Sequence, residues 1–259
     1  MPGNLDSTNR FSNRAENYAR HRPTYPPELL AALVAEAGLS PASVVADVGS
    51  GTGISCQIFL EHGCSVYGVE PNADMRALAE RALRQEARFT SVAGSAEATG
   101  LPDDSVDFVT VAQAFHWVDR DRAKMEFARI LRPGGQVAIF WNFRRTGGTP
   151  FLDGYEAMLD RFGTDYARVK DRYRYREPAV LAAFFGGPYA SRYFEHARLL
   201  EREEMRGLLQ SASYVPAAGA DNFEPMMKEF DRVFEETQRD GRIKLIYDTE
   251  LYFGPLRLD

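Results

Sequence analysis

Residues Val44 to Gly53, with the sequence Val-Val-Ala-Asp-Val-Gly-Ser-Gly-Thr-Gly, decide the fold of this chain. A short apolar run reaches an acidic residue, three glycines follow at every second position, and Ile54 to Glu61 can then form a helix that Gly63 ends. This order predicts a strand, a tight turn and a helix. Because glycine tolerates a positive φ and carries no Cβ, we expect the turn to let a ligand approach the backbone closely.

The residue types in this turn indicate which ligand it binds. Dinucleotide-binding turns have the spacing Gly-x-Gly-x-x-Gly and hold a pyrophosphate at the helix N-terminus. Here the spacing is Gly-x-Gly-x-Gly, and Asp47 lies two residues before Gly49. A carboxylate at that position would repel a phosphate, so the turn favours a cationic ligand.

The turn resembles the first motif of the class I S-adenosylmethionine-dependent methyltransferases, Asp/Glu-x-Gly-x-Gly-x-Gly after the first strand. Three further motifs follow in the order of that family. Ser65 to Glu70 is similar to its second strand with an acidic end, Gly94 to Glu97 to its adenine-binding turn, and Leu131 to Gly135 to the turn into its fifth strand. Four motifs in order are a more specific signal than one glycine-rich loop.

The resemblance implies an α/β fold of doubly wound type. Its mostly parallel seven-stranded sheet would have the order 3-2-1-4-5-7-6, with strand 7 antiparallel, helices on both faces and a small helical cap. We divide the chain into a lid segment over 1–25, a cofactor-binding core over 26–142, an inserted cap over the substrate site at 143–192, and a last part, 193–259, that completes the same sheet.

Hydrophobic periodicity predicts the same alternation of strands and helices from the residues themselves. After the first βαβ unit, the predicted strands are 88–92, 106–112, 136–142, 193–201 and 243–253. The predicted helices start at 11, 26, 72, 119 or 121, 151, 203 and 223, and the last one extends to Gly241. The segment 144–148 is predicted to be a flexible basic loop.

The resemblance also implies S-adenosylmethionine as cofactor, S-adenosylhomocysteine as its product, and no metal. Asp47 with the backbone of Gly49 and Gly51 would hold the cationic amino acid end, Glu70 the ribose, and Ala96 with Glu97 the adenine. The predicted cofactor-binding residues are Asp47, Gly49, Ser50, Gly51, Gly53, Glu70, Pro71, Ser95, Ala96, Glu97, Gln113 and Phe115. Ser95 departs from the family pattern, which often has Asp there.

Aromatic and basic residues are predicted to form the acceptor side. Phe115, His116 and Trp117 would line the methyl side, where an aromatic face attracts a sulfonium. His116 is a candidate general base for a hydroxyl or amine, and the alternative is a structural histidine packed on Trp117. The predicted substrate-binding residues are Tyr18, Arg22, Tyr25, His116, Trp117, Arg144, Arg172 and Arg174.

A looser resemblance suggests the acceptor. The segments 115–117, 211–214 and 247–249 are together similar to the subgroup of trans-aconitate methyltransferase-like enzymes, which act on small acids. A carboxylate nucleophile needs no base, and arginines can position it through bidentate contacts. We therefore expect an O-methyltransferase of a small carboxylic acid, with N- or C-methylation through His116 as the alternative.

Composition limits the partners and the location that we expect for this protein. A formal net charge of −6 argues against nucleic acid. The two cysteines lack metal-ligand spacing, and no signal-peptide segment or membrane-length apolar run is present. We expect a cytoplasmic monomer or homodimer with a small-molecule acceptor and no membrane partner.

Two other functions compete with a methyltransferase. One is an NAD(P)-dependent oxidoreductase, against which Asp47 and the glycine spacing count. The other is a non-catalytic S-adenosylmethionine-binding regulator.

Overall fold

Strands and helices alternate along the chain as the hydrophobic pattern predicts. A computed structural model describes residues 22–167 and 177–258. The strands are β1 (Val44–Val48), β2 (Ser65–Val69), β3 (Phe89–Val92), β4 (Val106–Ala112), β5 (Leu131–Arg144), β6 (Ala190–Glu201) and β7 (Arg242–Gly254). The helices are α1 (Pro27–Ala37), α2 (Ile54–His62), α3 (Ala73–Ala82), α4 (Arg120–Ile130), α5 (Pro150–Phe162), α6 (Pro178–Phe185), α7 (Arg202–Gln210) and α8 (Phe223–Thr237).

The sheet has seven strands in the order β3-β2-β1-β4-β5-β7-β6. The pairs from β3 to β5 are parallel, and β7 runs antiparallel to both β5 and β6. The predicted fold class and strand order are confirmed. In such a sheet the carboxyl ends of β1, β2, β4 and β5 meet at one edge, where open α/β folds bind ligands.

Local signals place most element ends. Gly38 ends α1 with a φ of 76°, and the Asn72 side chain accepts a hydrogen bond from the Met75 amide, 3.0 Å, at the start of α3. Asp119 caps α4 in the same way through the Arg122 amide. These three caps confirm the predicted helix starts or ends.

The structure corrects several predicted boundaries. Leu131 pairs with Val106 in the sheet, so β5 begins directly after α4 and before Pro133. At its other end β5 extends to Arg144, which pairs with Tyr247 of β7, so the predicted loop at 144 is wrong there. Helix α8 ends at Thr237 because Gln238 has an extended backbone. Helix α6 was not predicted.

Three buried clusters hold these elements together. One packs α1 and α2 on one face of the sheet, around Leu33 and Phe59, and the second packs α4 and α6 on the other face, around Phe127 and Phe184. The third joins α5, α7 and α8 over the ends of β6 and β7. The helices over the ends of β6 and β7 therefore come from both sides of residue 192, since α5 precedes it and α7 and α8 follow it. Helix α6 does not join them and packs with α4 on one face of the sheet.

None of the helices within the described ranges combines the length and the apolar character that a bilayer span requires.

Candidate active site

A cavity of about 410 Å³ lies at the carboxyl edge of the parallel strands. Its lining includes Gly51 after β1, Glu70 after β2, Gln113 after β4 and Asn142 on β5. The cavity continues from there to Tyr155 on α5 and Tyr247 on β7. Sequence motifs that are far apart in the chain thus meet at one site, as the topology predicts.

The three glycines of the turn have different roles. All three have positive φ, between 56° and 87°. A Cβ on Gly51 would have the Met75 methyl at 3.9 Å as its nearest neighbour. A Cβ on Gly49 would lie 2.6 Å from the Ala114 Cβ, and one on Gly53 2.9 Å from Leu83. Gly51 and Gly49 line the cavity and Gly53 does not. The missing side chain of Gly53 lets α2 pack against the segment after α3, and its predicted ligand contact stays a prediction.

This difference predicts separable effects of two alanine substitutions. Gly51→Ala should lower the affinity for S-adenosylhomocysteine at least tenfold, at a cost in stability of about 1 kcal/mol for the positive φ. Gly49→Ala should lower the free energy of unfolding by roughly 2 to 3 kcal/mol, because its Cβ overlaps the Ala114 methyl. Calorimetric titration and urea unfolding measure the two effects. Equal stability losses in both variants would contradict the assignment.

Asp47 lies beneath the turn and does not line the cavity. Its buried carboxylate accepts hydrogen bonds from the Ser55 hydroxyl at 2.5 Å, the Thr110 hydroxyl at 2.8 Å and the Cys56 thiol at 3.2 Å. Burial raises the pKa of Asp47, and these three bonds lower it by less. The carboxylate thus connects the turn to α2 and β4, and the predicted contact of Asp47 with the cofactor stays a prediction.

Glu70 lines the cavity at the end of β2, where the second motif predicts it. Its two carboxylate oxygens accept hydrogen bonds from the backbone amides of Gly51, at 3.0 Å, and Asn72, at 2.9 Å. Burial raises the pKa of Glu70 against the effect of these amides and of Arg76. A carboxylate oxygen has further lone pairs, so Glu70 can still accept from a ligand hydroxyl.

The predicted adenine side is also part of the wall. Pro71, Ser95, Ala96 and Glu97 line the cavity, as does Ser50 of the glycine turn. Ser95 forms a backbone bridge with Ala98, and the Glu97 carboxylate accepts from the Asp119 amide at 2.9 Å. The turn is therefore fixed at the start of α4.

Gln113 holds an unusual backbone conformation between the two halves of the cavity. Its φ is 58°, in the left-handed region that a residue with a side chain rarely adopts. The backbone amide donates to the Phe140 carbonyl at 3.0 Å, and the side-chain amide donates to the Asn142 carbonyl at 2.9 Å. Strained residues of this kind occur frequently at functional sites.

Phe115 does not line the cavity, and its predicted role at the methyl side stays a prediction. Its side chain is fully buried, with ring centroids 4.7 Å from Phe184 and 6.1 Å from Trp141. The next two residues, His116 and Trp117, do line the cavity, and their rings lie 5.0 Å apart. A short 3-10 turn over Phe115–Trp117 explains the difference, since it directs consecutive side chains to different sides.

The far end of the cavity is rich in tyrosine. Its lining side chains there are Arg22, Tyr25, Arg144, Tyr155, Tyr166, Leu208, Tyr214 and Tyr247. The structure thus brings the predicted residues Arg22, Tyr25 and Arg144 into the lining of the same cavity as His116 and Trp117. Tyr18, Arg172 and Arg174 lie outside the described residues, and their predicted roles stay predictions.

Arg144 carries a charge that is already balanced within the protein. Its guanidinium donates to Glu156 at 2.6 Å and to the Tyr166 hydroxyl at 2.9 Å, and it lies over the Tyr155 ring at 4.7 Å. Arg145 points elsewhere and pairs with Asp248 and Glu195. At this strand end Arg144 therefore forms one ion pair and Arg145 forms two, with different partners.

Sequence patterns missed several residues of the wall. Thr52, Asn72 and Asn142 stand beside predicted motifs, and their small polar side chains at strand ends were the available signal. Tyr155, Tyr166 and Leu208 fit ordinary helix positions, so no local signal separates them from core residues. Tyr214 and Tyr247 fall in segments of the looser resemblance, which assigned them no role.

Comparison with known proteins identifies a family model and relatives that are similar to this chain. A family model described as a methyltransferase domain matches residues 46–139, which run from β1 into β5. An uncharacterized methyltransferase of Mycobacterium tuberculosis is 38% identical over 173 residues, 67% of each chain. An uncharacterized methyltransferase-like protein of Schizosaccharomyces pombe is 28% identical over 246 residues, 92% of each chain.

A solved structure has a similar fold over most of the chain. It is a proposed type II methyltransferase from Anaeromyxobacter dehalogenans, 25% identical, with a TM-score of 0.65. The alignment covers 92% of this chain and 99% of that one. The similarity therefore includes the region of α5, α7 and α8 as well as the half that carries the glycine turn.

Proposed function

This chain belongs to the class I S-adenosylmethionine-dependent methyltransferases, and from that membership we propose that it methylates a carboxylate oxygen of a small organic acid. The observation that carries the proposal is one continuous cavity, with the cofactor motifs at one end and arginines among tyrosines at the other. An enclosed cavity of this kind suits a small molecule.

The residues at the glycine turn fit the cofactor. Gly51 leaves open space, Glu70 presents a carboxylate, and the Thr52 hydroxyl is buried with no hydrogen-bond partner within the described ranges. We assign the amino acid end to the backbone near Gly49 and Gly51, the ribose to Glu70, and the adenine to Ser95, Ala96 and Glu97. S-Adenosylmethionine, when bound, supplies an electrophilic methyl group on a sulfonium.

The residues at the far end suit an acid. Two guanidinium groups, Arg22 and Arg144, face the cavity, and Glu156 balances one of them. The positive charge of these two side chains favours a carboxylate, which needs no base because it is already a nucleophilic anion. The tyrosine rings and Leu208 exclude water and hold the acceptor in line, which is the main catalytic contribution in such a displacement.

The second candidate is transfer to a hydroxyl or amine with His116 as base, since His116 lines the same cavity. If the acceptor is a carboxylate, His116→Gln should lower kcat less than tenfold and leave the shape of the pH profile as in the wild type. A base would give a loss of about 10² to 10⁴. Steady-state pH profiles decide between them, with His62→Gln, at the end of α2, as control.

Two experiments test the proposal. Calorimetry should give saturable binding of S-adenosylhomocysteine and none of NADH, and the opposite pattern would favour an oxidoreductase. Labelled methyl transfer to small carboxylic acids should then yield a product that releases methanol in base, as esters do and methylamines or ethers do not. A protein that binds the cofactor and transfers methyl to no acid, amine or alcohol would favour a regulator.

A further inference from the structure

Tyr247 carries a buried hydroxyl with no hydrogen-bond partner among the described residues. The side chain is only 4% exposed, it lines the cavity, and it sits on β7 opposite Arg144 of β5. Leaving a buried hydroxyl without a partner costs free energy, and folded proteins rarely tolerate it unless a ligand or solvent takes the bond. Since the hydroxyl belongs to a cavity wall, a bound acceptor can take it.

The Tyr247 ring is held in place from behind. The His196 ring stacks on it with centroids 5.2 Å apart and an interplanar angle of 14°. The Thr249 hydroxyl donates to the Asn142 side-chain oxygen at 2.6 Å, so its single proton is used. His196 Nδ1, at 3.1 Å from that hydroxyl, is therefore the donor to Thr249, which fixes the imidazole and with it the tyrosine ring.

Positive charge surrounds the Tyr247 hydroxyl. Burial raises the pKa of Tyr247 to about 12, and the charges of Arg22, Arg198 and Arg144 lower it by less. The phenol is therefore a protonated donor at neutral pH. Arg22 and Arg144 both line the same cavity as the hydroxyl. A donor beside a cation suits an anionic oxygen.

We infer that the Tyr247 hydroxyl binds one carboxylate oxygen of the methyl acceptor, near the positive charges of Arg22 and Arg144, and thereby selects acids over their neutral analogues. This inference rests on the proposed function and names a residue that decides its specificity. A carboxylate has two oxygens, so one can be held by Tyr247 while the other stays free to react.

The Tyr247→Phe variant tests this inference because it removes only the hydroxyl and keeps the ring that stacks on His196. The complex with S-adenosylhomocysteine is titrated with benzoate, phenylacetate, succinate and citrate, and with the amide of each. In the wild type we expect at least one acid to bind more tightly than its amide. In Tyr247→Phe the affinity for that acid should fall about tenfold or more, and the affinity for S-adenosylhomocysteine should stay within about twofold.

The thermal stability without ligand separates ligand binding from a structural role. Since the hydroxyl has no partner within the described part of the chain, its removal should leave Tm unchanged or raise it. Tyr193→Phe, a hydroxyl deletion at an exposed site on β6, is the matched control for both measurements.

Each remaining result would overturn the inference. If Tyr247→Phe has a lower Tm, and its acid affinity falls only as far as the loss of stability explains, the hydroxyl has a structural role. Equal acid affinity in variant and wild type would overturn the inference alone, and the proposed function would stand. If the wild type binds S-adenosylhomocysteine but none of the acids, the inference and the proposed function are both overturned. If the wild type does not bind S-adenosylhomocysteine at all, the cofactor assignment is wrong, and the inference that rests on it falls too.

Discussion

Asp47→Ala should lower the free energy of unfolding by about 3 kcal/mol and abolish measurable binding of S-adenosylhomocysteine. The carboxylate is fully buried, and the substitution removes the shared acceptor of the Ser55 and Thr110 hydroxyls and the Cys56 thiol. These groups join the glycine turn to α2 and β4, so the turn loses its geometry together with its stability. Urea unfolding and calorimetric titration measure the two losses.

The pH dependence of Asp47→Asn provides an independent check. Burial raises the pKa of Asp47 in the folded protein. Its contribution to stability is therefore fully present below the unfolded pKa and is lost as the pH rises through the raised, folded value. The asparagine variant cannot ionise, so the difference in stability between wild type and variant should shrink, or change sign in favour of the variant, across that interval.

The surface offers a control for the alanine variant. Asp221 is exposed, and Asp221→Ala should change the free energy of unfolding by less than about 0.5 kcal/mol. An Asp47→Ala protein with wild-type stability and reduced cofactor affinity would contradict the indirect role and return Asp47 to direct contact with the ligand.

Glu70→Ala should weaken the binding of S-adenosylhomocysteine about a hundredfold. The two ribose hydroxyls would lose their hydrogen bonds to the Glu70 carboxylate, and the loss of two bonds to a charged acceptor removes roughly 3 kcal/mol. The carboxylate stands at the end of β2 on the cavity wall, held by the amides of Gly51 and Asn72. Glu70→Gln keeps one acceptor oxygen and should lose less. Calorimetry at neutral pH measures both variants.

The raised pKa of Glu70 adds a pH effect to this prediction. If the ionised carboxylate is the acceptor, the affinity of the wild type should fall as the pH drops through a value above the ordinary glutamate pKa, and Glu70→Gln should lack that fall. Glu80→Ala, on the exposed side of α3, is the matched control. Unchanged affinity in Glu70→Ala would remove Glu70 from the cofactor site.

The residues near the glycine turn show how far sequence reasoning reaches. The positions of Gly51, Glu70 and Ser95 at the cavity follow from local motifs, because each motif lies directly at the end of a strand whose hydrophobic pattern is strong. For Asp47 and Gly53 the structure adds contacts with α2, β4 and the segment after α3. A sequence motif does not tell whether a residue packs on the ligand, on the next helix or on both.

The sequence by itself was enough for the family and the strand order, because four motifs in order carry the resemblance to a family with that topology. The alternation of strands and helices independently predicted the parallel part of the sheet. Only the tertiary structure decided the acceptor end. Tyr155, Leu208 and Tyr247 come from α5, α7 and β7, which are far apart in the chain, and each fits its own helix or strand as a core residue would. Their meeting depends on how α5, α7 and α8 pack over β7, which is a long-range property that no local pattern encodes.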